Sequence, residues 1–142
     1  TYEEFIKNIQ NADVEEFIVP IKDTSKNATK IVNDKIGFVF IDGAHEYKYV
    51  KQDFNLWFPK LSIGQLISVH DSWHQPGVLR LIAEILIFKE VKNPRLIDTL
   101  TVFEKTTKNS SRNRLKNLAF LFYLLFFGWI GTIKINYFDT KR

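Results

Sequence analysis

The sequence of 142 residues contains neither cysteine nor methionine. Without cysteine the chain can form no disulfide and has no thiolate to serve as a zinc ligand or nucleophile. This absence favours a reducing compartment, and we expect a cytoplasmic protein. Methionine is missing even at position 1, and the opening TYEEFIKNIQ has the pattern of a helix instead of a signal peptide. We therefore expect the sequence to be part of a longer protein.

The charge of the chain is modest and uneven. The formal net charge is +4, and basic residues gather between Lys105 and Lys116. Nucleic-acid binding is disfavoured, because the aromatic residues lie in apolar runs and do not alternate with the basic residues on one surface. A hydrophobic fraction of 45% with 25% charged residues is typical of one globular domain with a real core.

Short apolar runs alternate with helical patterns along most of the chain. The opening helix has a capping box of Thr1 and Glu4, and a later one is capped by Thr24 or Ser25. Alternation of this kind predicts an α/β fold with a parallel sheet and right-handed crossovers. The predicted strands are EFIVPI (16–21), KIGFVFID (35–42), QLISVHD (65–71) and an antiparallel pair around Asp98 and Thr99.

All three histidines of the chain lie at or shortly after the carboxyl ends of two of these strands. Asp42 ends the first of the two and His45 follows it, whereas His70 and Asp71 end the second and His74 follows it. Because ligands of open α/β sheets bind beyond the carboxyl ends of the strands, we expect these side chains to meet at one site. Carboxylates and imidazoles there can hold a divalent cation or act as a general base.

A purely structural explanation of the same residues stays open. Asp42 and Gly43 also suit a turn, His45 could cap the next helix, and His70 could be a hydrogen-bonded histidine at a strand end. His74 follows Trp73 in a predicted loop, and we do not expect it to be a direct metal ligand.

The segment IGFVFIDGAHEYKYVKQDFNLWFPKLSIGQLISVHDSW resembles the second half of class I, Rossmann-like, S-adenosylmethionine-dependent methyltransferases. The small-molecule O-methyltransferase group has IDG-x-H-x-Y after its fourth strand and HD after its fifth. The resemblance spans roughly Thr1 to Lys105. It implies a three-layer, mostly parallel sheet with a C-terminal antiparallel hairpin, truncated at the N-terminus. The first strand, its glycine-rich loop and the acidic residue after the second strand would all precede Thr1.

The resemblance also implies roles for particular residues in binding S-adenosylmethionine. Asp23, Thr24 and Ser25 would lie near the adenine of this cofactor. Asp42 and Ala44 would lie near its methionine end.

A second set of residues would surround the methyl acceptor. The resemblance implies His45 and His70 as catalytic residues. Related catechol-type enzymes bind a divalent metal through carboxylates at these strand ends, which implies Asp42, His70 and Asp71 as ligands of a cation such as Mg²⁺.

The implied activity is transfer of a methyl group to a hydroxyl of a small molecule or glycan, assisted by a metal. We expect the fragment alone to bind the cofactor poorly and to be inactive. Two alternatives remain. One is a non-catalytic α/β interaction module or membrane-tethered module, and the other is a metal-dependent hydroxylase-like member of the same fold.

The C-terminal part differs in character from the rest. Residues 117–133, NLAFLFYLLFFGWIGTI, carry no charge and follow the basic RNRLK. This run suits a membrane-surface helix or a short spanning anchor at the inner face of a membrane. It equally suits a packing helix, a strand pair or a homodimer interface. We therefore divide the chain into a methyltransferase portion (1–108), a basic polar linker (109–116) and a hydrophobic tail (117–142).

Overall fold

The structure is a computed structural model that describes residues 1–33 and 35–139, with side chains of the last helix as far as residue 126. The predicted tail thus lies partly outside the described residues. The chain divides into two compact units, Thr1–Asn33 and Asp34–Arg142. Each unit is described by itself.

The first unit is helical. Helix α1 spans Tyr2–Asn11, and its predicted capping box is confirmed, because the Thr1 hydroxyl accepts from the Glu4 backbone N–H while the Glu4 carboxylate accepts from the Thr1 amine. A 3₁₀ turn covers Glu15–Phe17, and helix α2 spans Ser25–Ile31 with Thr24 as its N-cap. Helix α1 begins where its capping box predicted, and of the two caps predicted for α2 the structure has Thr24 and not Ser25.

The strand predicted at 16–21 is wrong. These residues form the end of the 3₁₀ turn and an irregular segment. Phe17 and Val19 are 76% and 85% exposed, so their apolar side chains gain nothing from burial in a sheet. Pro20 also lacks the N–H that a ladder needs. A β-branched composition was therefore not enough to make a strand without a partner.

The second unit is a four-stranded mixed sheet with three helices, and the α/β class is confirmed. The strand order is β1-β2-β4-β3, in which β1 and β2 pair in parallel and the other two pairs are antiparallel. Its elements are β1 (Ile36–Ile41), α3 (Tyr47–Trp57), β2 (Leu61–Val69), α4 (Pro76–Phe88), β3 (Val91–Ile97), β4 (Leu100–Lys105) and α5 (Ser111–Asp139).

Strands β1, β2 and β3 run in one direction, and β4 runs antiparallel to both of its neighbours, β2 and β3. The predicted C-terminal antiparallel hairpin is therefore confirmed as β3 and β4. The three-layer arrangement stays a prediction. Strand β1 is buried on one face only, although a nearly continuous apolar run such as KIGFVFID is typical of strands buried on both faces. Val39 and Ile41 are buried, whereas Phe38 and Phe40 are 57% and 51% exposed. The buried face of the sheet packs with α3, α4 and α5 around one core, which includes Phe54, Ile82 and Leu124.

Helix α5 begins at Ser111, inside the segment predicted as a linker. Its buried residues Asn117, Leu121 and Leu124 share one face, and the helix packs against β3 and α4. Within the part of the chain that the structure describes, no helix is long and apolar enough to cross a bilayer. The three-part division of the chain stays a prediction.

Lys105 fixes the turn between α3 and β2. Its Nζ donates to the carbonyl oxygens of Phe58, Pro59 and Leu61 at 2.8, 3.2 and 2.7 Å. Burial of the amine lowers the pKa of Lys105. The last strand, β4, therefore stabilises the start of β2. The candidate site lies at the other end of β2.

Candidate active site at the ends of two parallel strands

The ends of β1 and β2 meet at one edge of the sheet. Ile41 pairs with Val69, and the His70 backbone N–H donates to the Ile41 carbonyl at 2.9 Å. Asp42 and His70 therefore leave the sheet side by side, as the two apolar runs predicted. Their position follows from the parallel register.

The imidazole of His70 faces two carboxylates. Its Nδ1 lies 3.0 Å from Asp42 Oδ1 and 3.6 Å from Asp71 Oδ1. Nδ1 is itself buried, and no partner meets it with hydrogen-bond alignment. The short distance to Asp42 is thus a close polar contact and not a well-directed hydrogen bond. A buried imidazole nitrogen without a hydrogen bond lowers the stability of the fold. A purely structural role therefore does not explain His70 well.

Asp71 lies at the centre of the cluster. Its Oδ2 is 3.2 Å from His45 Nε2, and its Oδ1 is 3.6 Å from His70 Nδ1 and 4.0 Å from His74 Nδ1. The Asp71 side chain is only 22% exposed, whereas that of His45 is 41% exposed. One carboxylate therefore lies within 4.0 Å of all three histidines, but only its contact with His45 is short, and His45 is the more exposed member of that pair.

The backbone at Asp71 is strained and is held in place by the β3–β4 hairpin. Asp71 has a φ of 51°, in the left-handed region that costs most residues about 1–2 kcal/mol but that Asp tolerates. The next residue, Ser72, is fully buried and bonds the Thr99 carbonyl through both its N–H and its hydroxyl, at 3.0 and 2.8 Å. Thr101 donates to the Ser72 hydroxyl at 2.7 Å. The hairpin thus positions the carboxylate.

A cleft of about 540 Å³ opens beside His45. It is lined by residues at the start of α3 and of α4, namely Ala44, His45, Glu46, Gln75, Pro76 and Gly77. The two helix ends approach closely at Gly77, where a Cβ would lie 2.6 Å from the Tyr47 backbone nitrogen and 3.1 Å from the Glu46 carbonyl carbon. A side chain is excluded there, and the shape of the cleft depends on this glycine.

Hydrogen bonds among three polar side chains connect α3 to α4. The Tyr47 hydroxyl donates to Glu84 at 2.5 Å, and Lys51 Nζ donates to Glu84 and to the Tyr47 hydroxyl, each at 2.9 Å. The hydrogen bond from Tyr47, followed by that from Lys51, lowers the pKa of Glu84. Tyr47 is the first residue of α3, two positions after His45. These hydrogen bonds therefore also limit the movement of His45.

The Glu84→Gln variant is expected to be less stable than the wild type at neutral pH by about 1–2 kcal/mol, since it loses charged hydrogen bonds. The pKa of Glu84 is depressed on folding, so the stabilisation is present above the ordinary value of 4.5 and is lost as the pH falls through the lower, folded value. Urea unfolding across this range should show the two curves converging in acid. The exposed Glu16→Gln is the matched control, and a Glu84→Gln deficit that persists in strong acid would contradict the linkage.

The residues predicted near the adenine lie in the first unit and form a helix cap. Asp23 Oδ1 accepts from the Thr24 N–H at 2.6 Å and from Asn27 Nδ2 at 2.9 Å, and Thr24 caps α2. The hydrogen bond from Asn27, then that from Thr24, lowers the pKa of Asp23. Ser25 is the first residue of α2.

Of the sequence-predicted residues, Asp42, His45, His70 and Asp71 come together, and Ala44 lines the adjoining cleft. The alternative in which His45 caps α3 is wrong, since the cap is Glu46. Sequence reasoning missed the cleft lining from α4, although Pro76 and Gly77 at a helix start were a usable signal.

The metal assignment stays a prediction. Among residues 1–33 and 35–139, no group of three or more histidine, cysteine or acidic side chains has the arrangement that a bound ion requires. The contacts of Asp42, His70 and Asp71 are pairwise polar contacts. Both aspartates and the unsatisfied His70 Nδ1 are nonetheless chemically suited to a divalent cation.

Comparison with known proteins places the chain among methyltransferases. Residues 1–72, which include the whole cluster except His74, match the family described as a methyltransferase domain. An uncharacterized protein of Acanthamoeba polyphaga mimivirus is 32% identical over 87 residues, covering 56% of this chain and 36% of the viral protein.

One solved structure agrees in fold. The MycE methyltransferase of the mycinamycin biosynthetic pathway, in complex with Mg and SAH, has a TM-score of 0.50 at 16% identity, covering 67% of this chain and 34% of MycE. Its complex with Mg, SAH and mycinamycin VI gives 0.49 at 15% identity, covering 70% and 36%. The chain spans about a third of the length of these relatives. Because the family match covers half of the chain, the chain belongs to the methyltransferase-domain family.

Proposed function

We propose that this site transfers a methyl group from S-adenosylmethionine to a hydroxyl of a small molecule or glycan. The observation that carries the proposal is the His45 Nε2–Asp71 Oδ2 pair, 3.2 Å apart, beside the cleft. A carboxylate that faces one imidazole nitrogen holds the proton there and leaves the lone pair on the other nitrogen. His45 then has a free Nδ1 with which to accept a proton.

In this proposal His45 is the general base. The acceptor hydroxyl would give its proton to His45 Nδ1 while its oxygen forms the bond to the methyl carbon, as the bond from that carbon to the sulfonium sulfur breaks and S-adenosylhomocysteine leaves. Asp71 stabilises the imidazolium that results, as the buried carboxylate does in other carboxylate–histidine pairs. The half-exposed side chain of His45 is accessible to an acceptor in the cleft, whereas the less exposed Asp71 is kept as its partner.

His70 is the second catalytic candidate, and its role is to hold Asp42 and Asp71. Its Nδ1 contacts one oxygen of each carboxylate. We propose that His70 keeps the two acidic side chains at one point on the strand edge.

We also propose that Asp42 and Asp71, with His70, hold a divalent cation such as Mg²⁺. Two carboxylates around a buried, unsatisfied imidazole nitrogen support this assignment. MycE, which shares the fold, is complexed with Mg and SAH. A bound cation would make an acceptor hydroxyl more acidic.

The cofactor residues complete the proposal. Asp42 and Ala44 follow β1 directly, where the methionine end would lie, and Asp23, Thr24 and Ser25 are proposed for the adenine side. Asp23 Oδ1 already accepts hydrogen bonds from Thr24 and Asn27. In this proposal the other oxygen of Asp23 binds the ligand.

The test of the metal assignment uses Mn²⁺ as the probe. Asp42→Asn is expected to weaken Mn²⁺ binding by the chain at least ~10-fold, a loss seen even for residues that only support metal ligands. Electron paramagnetic resonance of free Mn²⁺ measures the affinity without any acceptor. The matched control is Asp98→Asn, another exposed aspartate of the same unit. Equal affinities for the two variants would contradict the metal assignment and leave the His45 base to be tested separately.

A further inference from the structure

We propose that the outer face of α5 binds the surface of an anionic membrane. Five large apolar side chains lie on this face and are between 41% and 72% exposed. Their spacing of three and four residues puts them on one side of the helix. We name this surface the apolar stripe, and it consists of Leu115, Leu118, Phe122, Leu125 and Phe126.

The stripe is not the core-packing side of the helix. Asn117, Leu121 and Leu124 are buried against the core, and Asn117 Nδ2 donates to the Val91 carbonyl at 2.9 Å. A helix packed by one face normally presents a polar face to solvent. Here the opposite face is apolar as well, and a contiguous exposed patch of this kind marks an interaction surface.

Basic residues flank the stripe on both sides. Arg112 and Lys116 lie along one edge, while Arg114 lies near the other, where it bonds the Ile87 carbonyl and Glu90. Residues 111–126 include no aspartate or glutamate. Two copies of the stripe would bring like charges together, which disfavours self-association. An anionic lipid surface complements both the apolar stripe and its basic edges.

A cleft beside Lys116 supplies a site for the lipid headgroup. Its volume is about 570 Å³, and Lys116 and Phe120 of α5 face Asn93, Pro94 and Arg95 of β3 across it. Asn93 has a φ of 51°, and the β3–β4 pairing shifts between Lys92 and Arg95.

The two cations of this cleft are available to a ligand. Within the described residues, neither Arg95 nor Lys116 has a carboxylate oxygen within 4.0 Å. The nearby Glu104 carboxylate instead contacts Lys92 at 2.8 Å and Asn93 at 2.9 Å, and the hydrogen bond from Lys92, with a smaller contribution from the charge of Arg95, lowers the pKa of Glu104. We assign the cleft to the phosphate group of an anionic lipid. Lys116 belongs to both the cleft and the edge of the stripe, so the two form one surface.

Sedimentation with phosphatidylcholine vesicles, with and without phosphatidylserine, tests the proposal. The chain is expected to bind the phosphatidylserine vesicles more tightly and to release them at high salt. Phe122→Ser should weaken this binding at least ~10-fold, since it removes an exposed side chain that would be buried in lipid. Arg95→Ala and Lys116→Ala should each weaken it about 5-fold. The exposed Lys7→Ala is the control for loss of one charge.

Three outcomes would overturn the proposal. The first is an absence of binding to either kind of vesicle. The second is equal binding by Phe122→Ser and the wild type, because Phe122→Ser leaves residues 127–142 unchanged and the contact would then lie elsewhere. The third is a concentration-dependent dimer in analytical ultracentrifugation that Phe122→Ser abolishes, since the stripe would then bind a second copy. Circular dichroism of each variant checks that the fold is kept.

Discussion

Gly77→Ala is expected to destabilise the protein by about 3 kcal/mol, the upper end of the usual range for overpacking. A Cβ at this position would overlap the backbone of His45, Glu46 and Tyr47, and backbone atoms cannot move aside as a flexible side chain can. The start of α3 would have to shift away from α4. Urea unfolding measures the loss, and the shift should also break the contact between His45 and Asp71.

Gly37→Ala is the matched control. Gly37 lies in β1 of the same unit, and a Cβ there would meet no atom within 4 Å. Its replacement should be neutral or should stabilise the protein by about 0.4–1 kcal/mol, because alanine restricts the unfolded chain. Equal stabilities for the two variants would show that the close approach at Gly77 does not exist in solution.

His45→Ala is expected to lower the rate constant of methyl transfer by about 10²–10⁴-fold in the protein that carries this domain, the range for loss of a general base. The loss should fall on kcat more than on KM, since the base acts in the chemical step. The side chain is 41% exposed, so its removal should leave the melting temperature nearly unchanged. Asp71→Asn should reproduce part of the loss.

His74→Ala controls for a general effect of removing a histidine. His74 is stacked on Trp73, with ring centroids 3.7 Å apart, and its Nδ1 is 4.0 Å from Asp71, beyond hydrogen-bond range. We expect methyl transfer by this variant to stay close to the wild-type rate. If His74→Ala lowered the rate of methyl transfer as much as His45→Ala does, that result would contradict the assignment of His45 as the general base.

The sequence predicted the parts of the fold that local patterns determine. Thr1 and Glu4, Thr24, and Pro76 marked helix starts correctly, since caps and N1 prolines act within a few residues. The segment around Pro20 failed, because its strand character depends on a partner strand. The exposure of Phe38 and Phe40 also depends on what covers the sheet, which an apolar run in the sequence does not encode.

The same distinction applies to the site. Asp42 and His70 were placed together because apolar runs that pair in parallel end at one edge of the sheet. The pairing of His45 with Asp71 needed the left-handed backbone at Asp71, which is held by Ser72 and Thr99 from a distant hairpin. Such long-range positioning has no local signature. The close packing at Gly77 is likewise visible only once two helices are placed.

The most direct measurement is the protonation of the three imidazoles by long-range ¹H–¹⁵N NMR, which needs no acceptor and has only three histidines to resolve. The general-base account predicts that neutral His45 carries its proton on Nε2, with an unprotonated Nδ1, and that Asp71→Asn shifts the Nε2 resonance. A His45 proton on Nδ1, or a spectrum of His45 that does not respond to Asp71→Asn, would contradict it.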